Sequence, residues 1–287
     1  RQMCIRDRFI MVHGRPKKMW TYRSLRRHGY TGKIFLVADD LDATVEEYKH
    51  RWGDELLVFD KRRAALGVDA GDNTGDLRST LFAANTIDDL AGANGIKHYM
   101  TMCDDYTSFL YKFDERLKYK ERPIKNLDGV VTALLKFYQG TNALTVAMAQ
   151  NGDYIGGKKS KWAMDIKLHR KAMNTFLCST ERPFQFVGRL NEDVNTYVNL
   201  GGKGGLFLTV PNVAIIQQRS QKMEGGLTDV YKDFGTYVKS LFSVMYNPSC
   251  VRVAEMGHKH RRLHHRVTWE NAVPKVLRPQ CCVPVPA

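Results

Sequence analysis

The chain predicts an α/β fold with a largely parallel central sheet. Short apolar runs alternate with stretches of helical periodicity through its first third. Two of those runs end in paired aspartates, Asp39-Asp40 and Asp104-Asp105. In open α/β sheets ligands bind outside the carboxyl ends of strands, so these carboxylates stand where a site belongs. Capping of the following turn is the plainer account of either pair alone.

Phe9-Ile10-Met11-Val12 reads as a buried first strand, followed by a basic turn over residues 13–18. Trp20, Tyr22 and Leu25 open a helix that stops at Gly29. Residues 33–38 form a second strand, 41–52 a helix and 56–59 a third strand. A Gly- and Asp-rich loop spans 67–75, a helix 76–91, and the next strand closes at Cys103. Further on, the pattern gives a helix over 126–139 and strands over 143–150, 206–210 and 214–218. Gly201-Gly202-Lys203-Gly204-Gly205 lacks the hydroxyl residue and spacing of a phosphate loop and leads into a strand, so it reads as a flexible turn.

A chain of 287 residues, 43% hydrophobic and 26% charged, is ordinary for a globular enzyme. Its charge is not ordinary. With 44 Lys+Arg against 30 Asp+Glu, the net +14 fits a polyanionic partner such as nucleic acid, generic solubility being the alternative. The six cysteines show no pair at zinc-knuckle spacing, which favours a reducing compartment. No run approaches a membrane span or a signal core, so a soluble, cytoplasmic protein is expected. Residues 1–8 resemble a translated sequencing-adapter fragment, which would make them non-native and the source metagenomic.

Four clusters can carry chemistry. Cys103-Asp104-Asp105 offers hard oxygen ligands for a divalent cation at a strand end. Asn191-Glu192-Asp193 opens a helix with Asn191 as a natural N-cap, and either acid can serve as a base within reach of a hydroxyl. The dipole of that helix explains the acids equally well without catalysis. His264-His265, within a strongly basic run from His258 to Arg266, can complete a metal sphere or meet phosphates. Gly156-Gly157 closes the loop that follows the strand over 143–150. Aromatics interleave with basic residues over 15–27 and 106–122, fitting either nucleic-acid contact or a core beside a solvated face.

The order of these clusters resembles the GT-A fold of nucleotide-sugar-dependent glycosyltransferases. Several runs resemble, more narrowly, the phage TET-associated glycosyltransferases that act on 5-hydroxymethylcytosine in DNA. They are Trp20-Thr21-Tyr22-Arg23-Ser24-Leu25, Gly152-Asp153-Tyr154-Ile155-Gly156-Gly157, Asn191-Glu192-Asp193-Val194-Asn195-Thr196-Tyr197 and Gly235-Thr236-Tyr237-Val238-Lys239-Ser240.

The resemblance implies a Rossmann-like sheet with a smaller acceptor-side sheet. It divides one continuous domain into a nucleotide-sugar half over 9–110 and an acceptor and catalytic half over 111–287 with a basic tail. It implies a metal, manganese or magnesium, on Asp105 with His264 or His265; Cys103 replaces the first acid of the Asp-x-Asp motif. Asp104, Arg15, Arg78, Gly156 and Gly157 would meet the donor, a UDP-sugar, and Asp39 and Asp40 its nucleoside. Asp193, with Glu192 second, would be the base of an inverting transfer to double-stranded DNA in an infected host's cytoplasm. The rivals are a glycosyltransferase with a glycan, protein or other modified base as acceptor, and a non-catalytic DNA-binding protein.

Overall fold

A computed structural model describes residues 7–154, 166, 168, 172–218, 227–257 and 261–275. Its first half alternates as the sequence predicts: β1 (Asp7–Met11), α1 (Trp20–Arg27), β2 (Lys33–Asp39), α2 (Val45–Trp52), β3 (Leu56–Phe59), α3 (Lys61–Leu66), α4 (Leu81–Ala93) and β4 (His98–Cys103). A hairpin of β5 (Tyr106–Phe113) and β6 (Tyr119–Pro123), then α5 (Leu127–Gln139), β7 (Thr145–Gln150) and β8 (Thr175–Ser179), lead to α6 (Glu192–Gly202) and β9 (Phe207–Gln217). Last come α7 (Leu227–Phe234), α8 (Val238–Tyr246), β10 (Val251–Met256), β11 (Arg262–Val267) and α9 (Trp269–Ala272).

Nine strands form one sheet in the order β3-β2-β1-β4-β8-β7-β9-β5-β6, and β10 and β11 pair separately. This is the α/β architecture with a second, smaller sheet expected of a GT-A fold. The sheet is mixed, however, not mostly parallel. The ladders from β3 through β4, and β7 with β9, are parallel; the other four are antiparallel. Two of the four come from β8, which the sequence pattern did not reveal and which runs antiparallel between β4 and β7; the other two come from β5, which runs antiparallel to both β9 and β6.

Helices cover both faces of the sheet around β1, β2 and β4, whose strands are largely apolar runs. Ile10, Leu36, Met100 and Met102 pack on one side with Leu127, Val131 and Leu135 of α5. Phe9, Phe35, Val37 and Tyr99 pack on the other with Phe82 and Ile87 of α4 and Val194 and Val198 of α6. β1 begins within the segment set aside as non-native. Arg8 is fully buried there, with its guanidinium 4.6 Å from the centroid of the Tyr30 ring.

Other departures have local causes. The helix expected from residue 76 starts at Leu81, because Asp72 accepts from the amide of Thr74 and Asp76 from that of Arg78, which fixes turns instead. The helix expected from 41 starts at Val45, because the Asp42 carboxylate accepts from the amides of Gly14 and Thr44. The two strands expected around Pro211 are one, β9, whose register against β7 shifts between Val210 and Ala214 and lets the proline bulge out. Gly201 and Gly202 end α6 rather than forming a turn. Among the described residues no helix is long and apolar enough to cross a membrane.

Candidate active site

Strands β1 to β4 all end at one cavity of about 530 Å³, within the roughly 300–1,000 Å³ of ligand pockets. Met11, Val12, His13 and Arg15 reach it after β1, Asp39 at the end of β2, Phe59 and Lys61 after β3, and Cys103, Asp104 and Asp105 after β4. The facing wall is Leu77 to Thr80, Ala83 of α4, Leu227, Thr228 and Tyr231 of α7, and Lys239 of α8. Four cationic side chains, Arg15, Lys61, Arg78 and Lys239, therefore share a cavity with Asp39, Asp104 and Asp105.

The turn after β4 is clamped from α1. Thr21 Oγ1 donates to the Cys103 carbonyl at 2.6 Å and accepts the Tyr106 amide at 2.8 Å, while the Thr21 amide donates to the Asp104 carbonyl. Tyr106 accepts the Cys103 amide at 3.1 Å and donates to the Asn174 carbonyl. The acids thus project from a backbone fixed on both sides.

Asp104 is buried and accepts from Arg15 Nη2 at 2.9 Å. Burial outweighs that cation and pushes the carboxyl up to about 7. Burial likewise raises Asp105, against a hydrogen bond from the Gln217 side chain. Gln217 Oε1 accepts from Gln150 and Asn174, each at 3.1 Å, which leaves its amide group to donate to Asp105. Asp104 Oδ2 and Asp105 Oδ1 are buried oxygens that accept no hydrogen bond. Two such oxygens at a cavity wall fit a hard cation, which takes one or two carboxylates and completes its sphere with water and substrate phosphates. Among the described residues, no three His, Cys, Asp or Glu side chains gather in a metal-holding group. Cys103 lines the cavity beside the acids, and burial pushes its thiol up, away from the thiolate that binds metals.

Asp39 lines the cavity from the end of β2. Burial favours its neutral form, but His13 at 3.1 Å and Lys61 at 3.0 Å on Oδ2 prevail and hold it below the ordinary carboxylate range. Its Oδ1 is buried and accepts no hydrogen bond. Asp40 lies outside the cavity lining, exposed, and its carboxylate accepts the Lys61 amide at the start of α3. Arg78 lines the cavity while bonded to Asp76 at 2.8 Å and Asp233 at 2.6 Å, which ties the 77–80 loop to α7.

Glu192 and Asp193 sit one shell behind the wall. Thr80, a lining residue, donates to Glu192. Burial first, then the charge of Asp193, pushes the Glu192 carboxyl up to about 7. Both acids lie close enough to Tyr231 of the lining to disfavour its phenolate. Asp193 Oδ1 accepts the Val194 amide at 2.7 Å.

Asn191 occupies the N-cap position but does not cap. Its backbone is left-handed at φ 62°, and its side chain donates to Ser243 at 2.7 Å and His265 Nδ1 at 3.1 Å. That bond brings β11 to the N-terminus of α6, beside the acids. His264 and His265 stack edge to face with centroids 4.3 Å apart, and neither lines the cavity. Gly156 and Gly157 lie outside the described residues.

The sequence reading missed His13, Lys61, Tyr231 and Lys239. Two of them left a signal, His13 as the start of the basic turn over 13–18 and Lys239 as part of the Gly235 to Ser240 run.

Fold and cavity define an α/β protein with a ligand-sized cavity at the carboxyl ends of its parallel strands. The chain belongs to the TET-associated glycosyltransferase family, whose model matches residues 8–226. Lys239 and the α7 residues of the cavity lie beyond that match.

Among solved structures it is similar to the mannosyltransferase PcManGT from Pyrobaculum calidifontis in complex with GDP-mannose and manganese. The identity is 10% and the TM-score 0.49, over 85% of this chain and 64% of that one. It is also similar to the glucosyl-3-phosphoglycerate synthase from Mycobacterium tuberculosis in complex with manganese, UDP and phosphoglyceric acid. There the identity is 8% and the TM-score 0.44, over 97% of this chain and 90% of that one. The chain thus spans just under two thirds of the first and most of the second. No curated protein sequence matches it.

Proposed function

We propose that the chain transfers a sugar from a nucleotide-sugar, a UDP-sugar in our reading, to the hydroxymethyl oxygen of 5-hydroxymethylcytosine in double-stranded DNA. The observation that carries the proposal is the cavity in which Arg15, Lys61, Arg78 and Lys239 face Asp104 and Asp105. Cations suited to a diphosphate beside oxygens suited to a divalent ion fit a site where phosphate and metal meet. Family membership and the net +14 charge support the DNA acceptor.

Asp39 Oδ1 is available to accept an N–H or hydroxyl of the nucleoside, its partner oxygen being held by His13 and Lys61. Arg15, Arg78 and Lys239 orient the diphosphate. Asp104 and Asp105, with His264 or His265 as further candidates, would hold the manganese or magnesium ion. When bound, that ion neutralises charge on the departing diphosphate. Asp193 accepts the proton of the attacking hydroxyl. Attack opposite the leaving group inverts the anomeric carbon. A target base inside a duplex must first be extruded to reach the cavity.

The test is intact-nucleoside mass spectrometry of hydroxymethylated duplex DNA after incubation with protein, manganese and a panel of UDP-sugars. A nucleoside heavier by one sugar is expected, and it is lost in a folded Asp105→Ala variant. Transfer only to unmodified DNA or to saccharides would replace the acceptor. Salt-sensitive DNA binding with no UDP binding would replace catalysis by DNA binding alone.

A further inference from the structure

The β10–β11 hairpin carries charge that its own fold does not use. Arg252 and Arg266 are directly opposite across the two strands. Like charges so placed repel and destabilise a ladder. Strand alternation puts Arg262 on the same face as Arg266, at a separation of about 13 Å along the strand. The opposite face is the buried one: Val251 is in the core and Val267 packs against it. All three arginines are therefore on the solvent side, and all three are exposed.

Among the described residues none of the three pairs with a carboxylate. The one acid of the two strands, Glu255, is bonded at 3.4 Å to a fourth arginine, Arg261. The hairpin is nevertheless fixed at its base. Thr268 donates to the Cys250 carbonyl at 2.7 Å, and the Asn191–His265 bond attaches β11 to the helix that begins with Glu192 and Asp193.

We propose that this arginine face grips the phosphate backbone of duplex DNA and sets the position of the acceptor base against Glu192 and Asp193. The inference rests on the DNA-acceptor reading above and adds to it the surface that holds the duplex. A polyanion turns the Arg252–Arg266 repulsion into attraction, because each guanidinium gains a phosphate partner. Backbone contacts of this kind fix register and orientation without reading sequence. The small sheet is in this view the acceptor clamp, and the cavity under the parallel strands is the donor site.

The experiment is a salt titration of duplex binding by the full chain, comparing wild type, Arg252→Gln/Arg266→Gln and Arg252→Lys/Arg266→Lys. Each lost phosphate contact lowers the slope of log affinity against log salt by roughly 0.9. The glutamine variant is expected to lose about two units of slope, and the lysine variant to keep them. The Michaelis constant for hydroxymethylated duplex should rise at least tenfold in the glutamine variant, with UDP binding unchanged. Its melting temperature should equal or exceed that of wild type, since a repulsive pair is removed. An unchanged slope in the glutamine variant overturns the clamp while leaving the DNA acceptor in place. A wild type that shows no salt-dependent duplex binding overturns both readings.

Discussion

Thr21 on α1 holds the Cys103 carbonyl with a 2.6 Å hydrogen bond, although 82 residues separate them in the chain. The same hydroxyl accepts the Tyr106 amide, so a single buried oxygen brackets Asp104 and Asp105. Replacing Thr21 by Val leaves the Tyr106 amide buried without a partner, at a cost of about 2–3 kcal/mol. Thr21→Ser keeps the hydroxyl and loses one methyl, at a cost of about 1 kcal/mol. Thermal melting checks the order, and the donor Michaelis constant should rise in the Val variant only.

Gln217 reaches Asp105 from β9 with its carbonyl end satisfied by Gln150 and Asn174. Outer partners of a metal ligand typically govern affinity by about 10–100-fold. Gln217→Leu is therefore expected to weaken manganese binding by about tenfold in the presence of UDP. Titration followed by electron paramagnetic resonance reads this without turnover; an unchanged affinity would take Asp105 out of the metal sphere.

Glu192 gives the fold a pH dependence. Its carboxyl is raised from an ordinary 4.5 to about 7, so the folded chain keeps a proton that the unfolded chain has released across that window. Stability from this group is then full below the window and falls as pH climbs through it. Glu192→Gln should gain on the order of 1–2 kcal/mol over wild type at pH 8, the gain shrinking toward pH 5. Denaturant melts at the two pH values check the sign. An Asp193→Asn variant that keeps full transfer activity would move the base to Glu192.

Gly201 is where α6 meets α9. A Cβ there would lie 2.2 Å from the Ala272 carbonyl oxygen, which is backbone and cannot swing away. Gly201→Ala should cost about 1–3 kcal/mol. At the next position the nearest such atom, the Asn271 oxygen, is 3.5 Å away, so Gly202→Ala should be neutral or slightly stabilising. Paired melting curves decide.

By itself the sequence determined the local elements and the position of the acids. Apolar runs at Phe9, Ile34 and Tyr99 made strands because both faces of each are buried, and Asn126 started α5 by accepting the Gly129 amide. Acids directly after such runs fall at strand ends, so Asp39, Asp104 and Asp105 were legible as cavity residues. Asp40 was not separable from Asp39, since only the fold shows one facing the cavity and the other bonded to the Lys61 amide.

Tertiary structure decided everything that depends on distant pairing. It set β8 antiparallel between β4 and β7, and it turned Asn191 from a cap into a link to His265. It also brought Lys239 and Tyr231 across the cavity from Arg15, more than 200 residues away in the chain. Backbone propensity and side-chain period act over a few residues, whereas these contacts are fixed by burying two faces of a nine-stranded sheet.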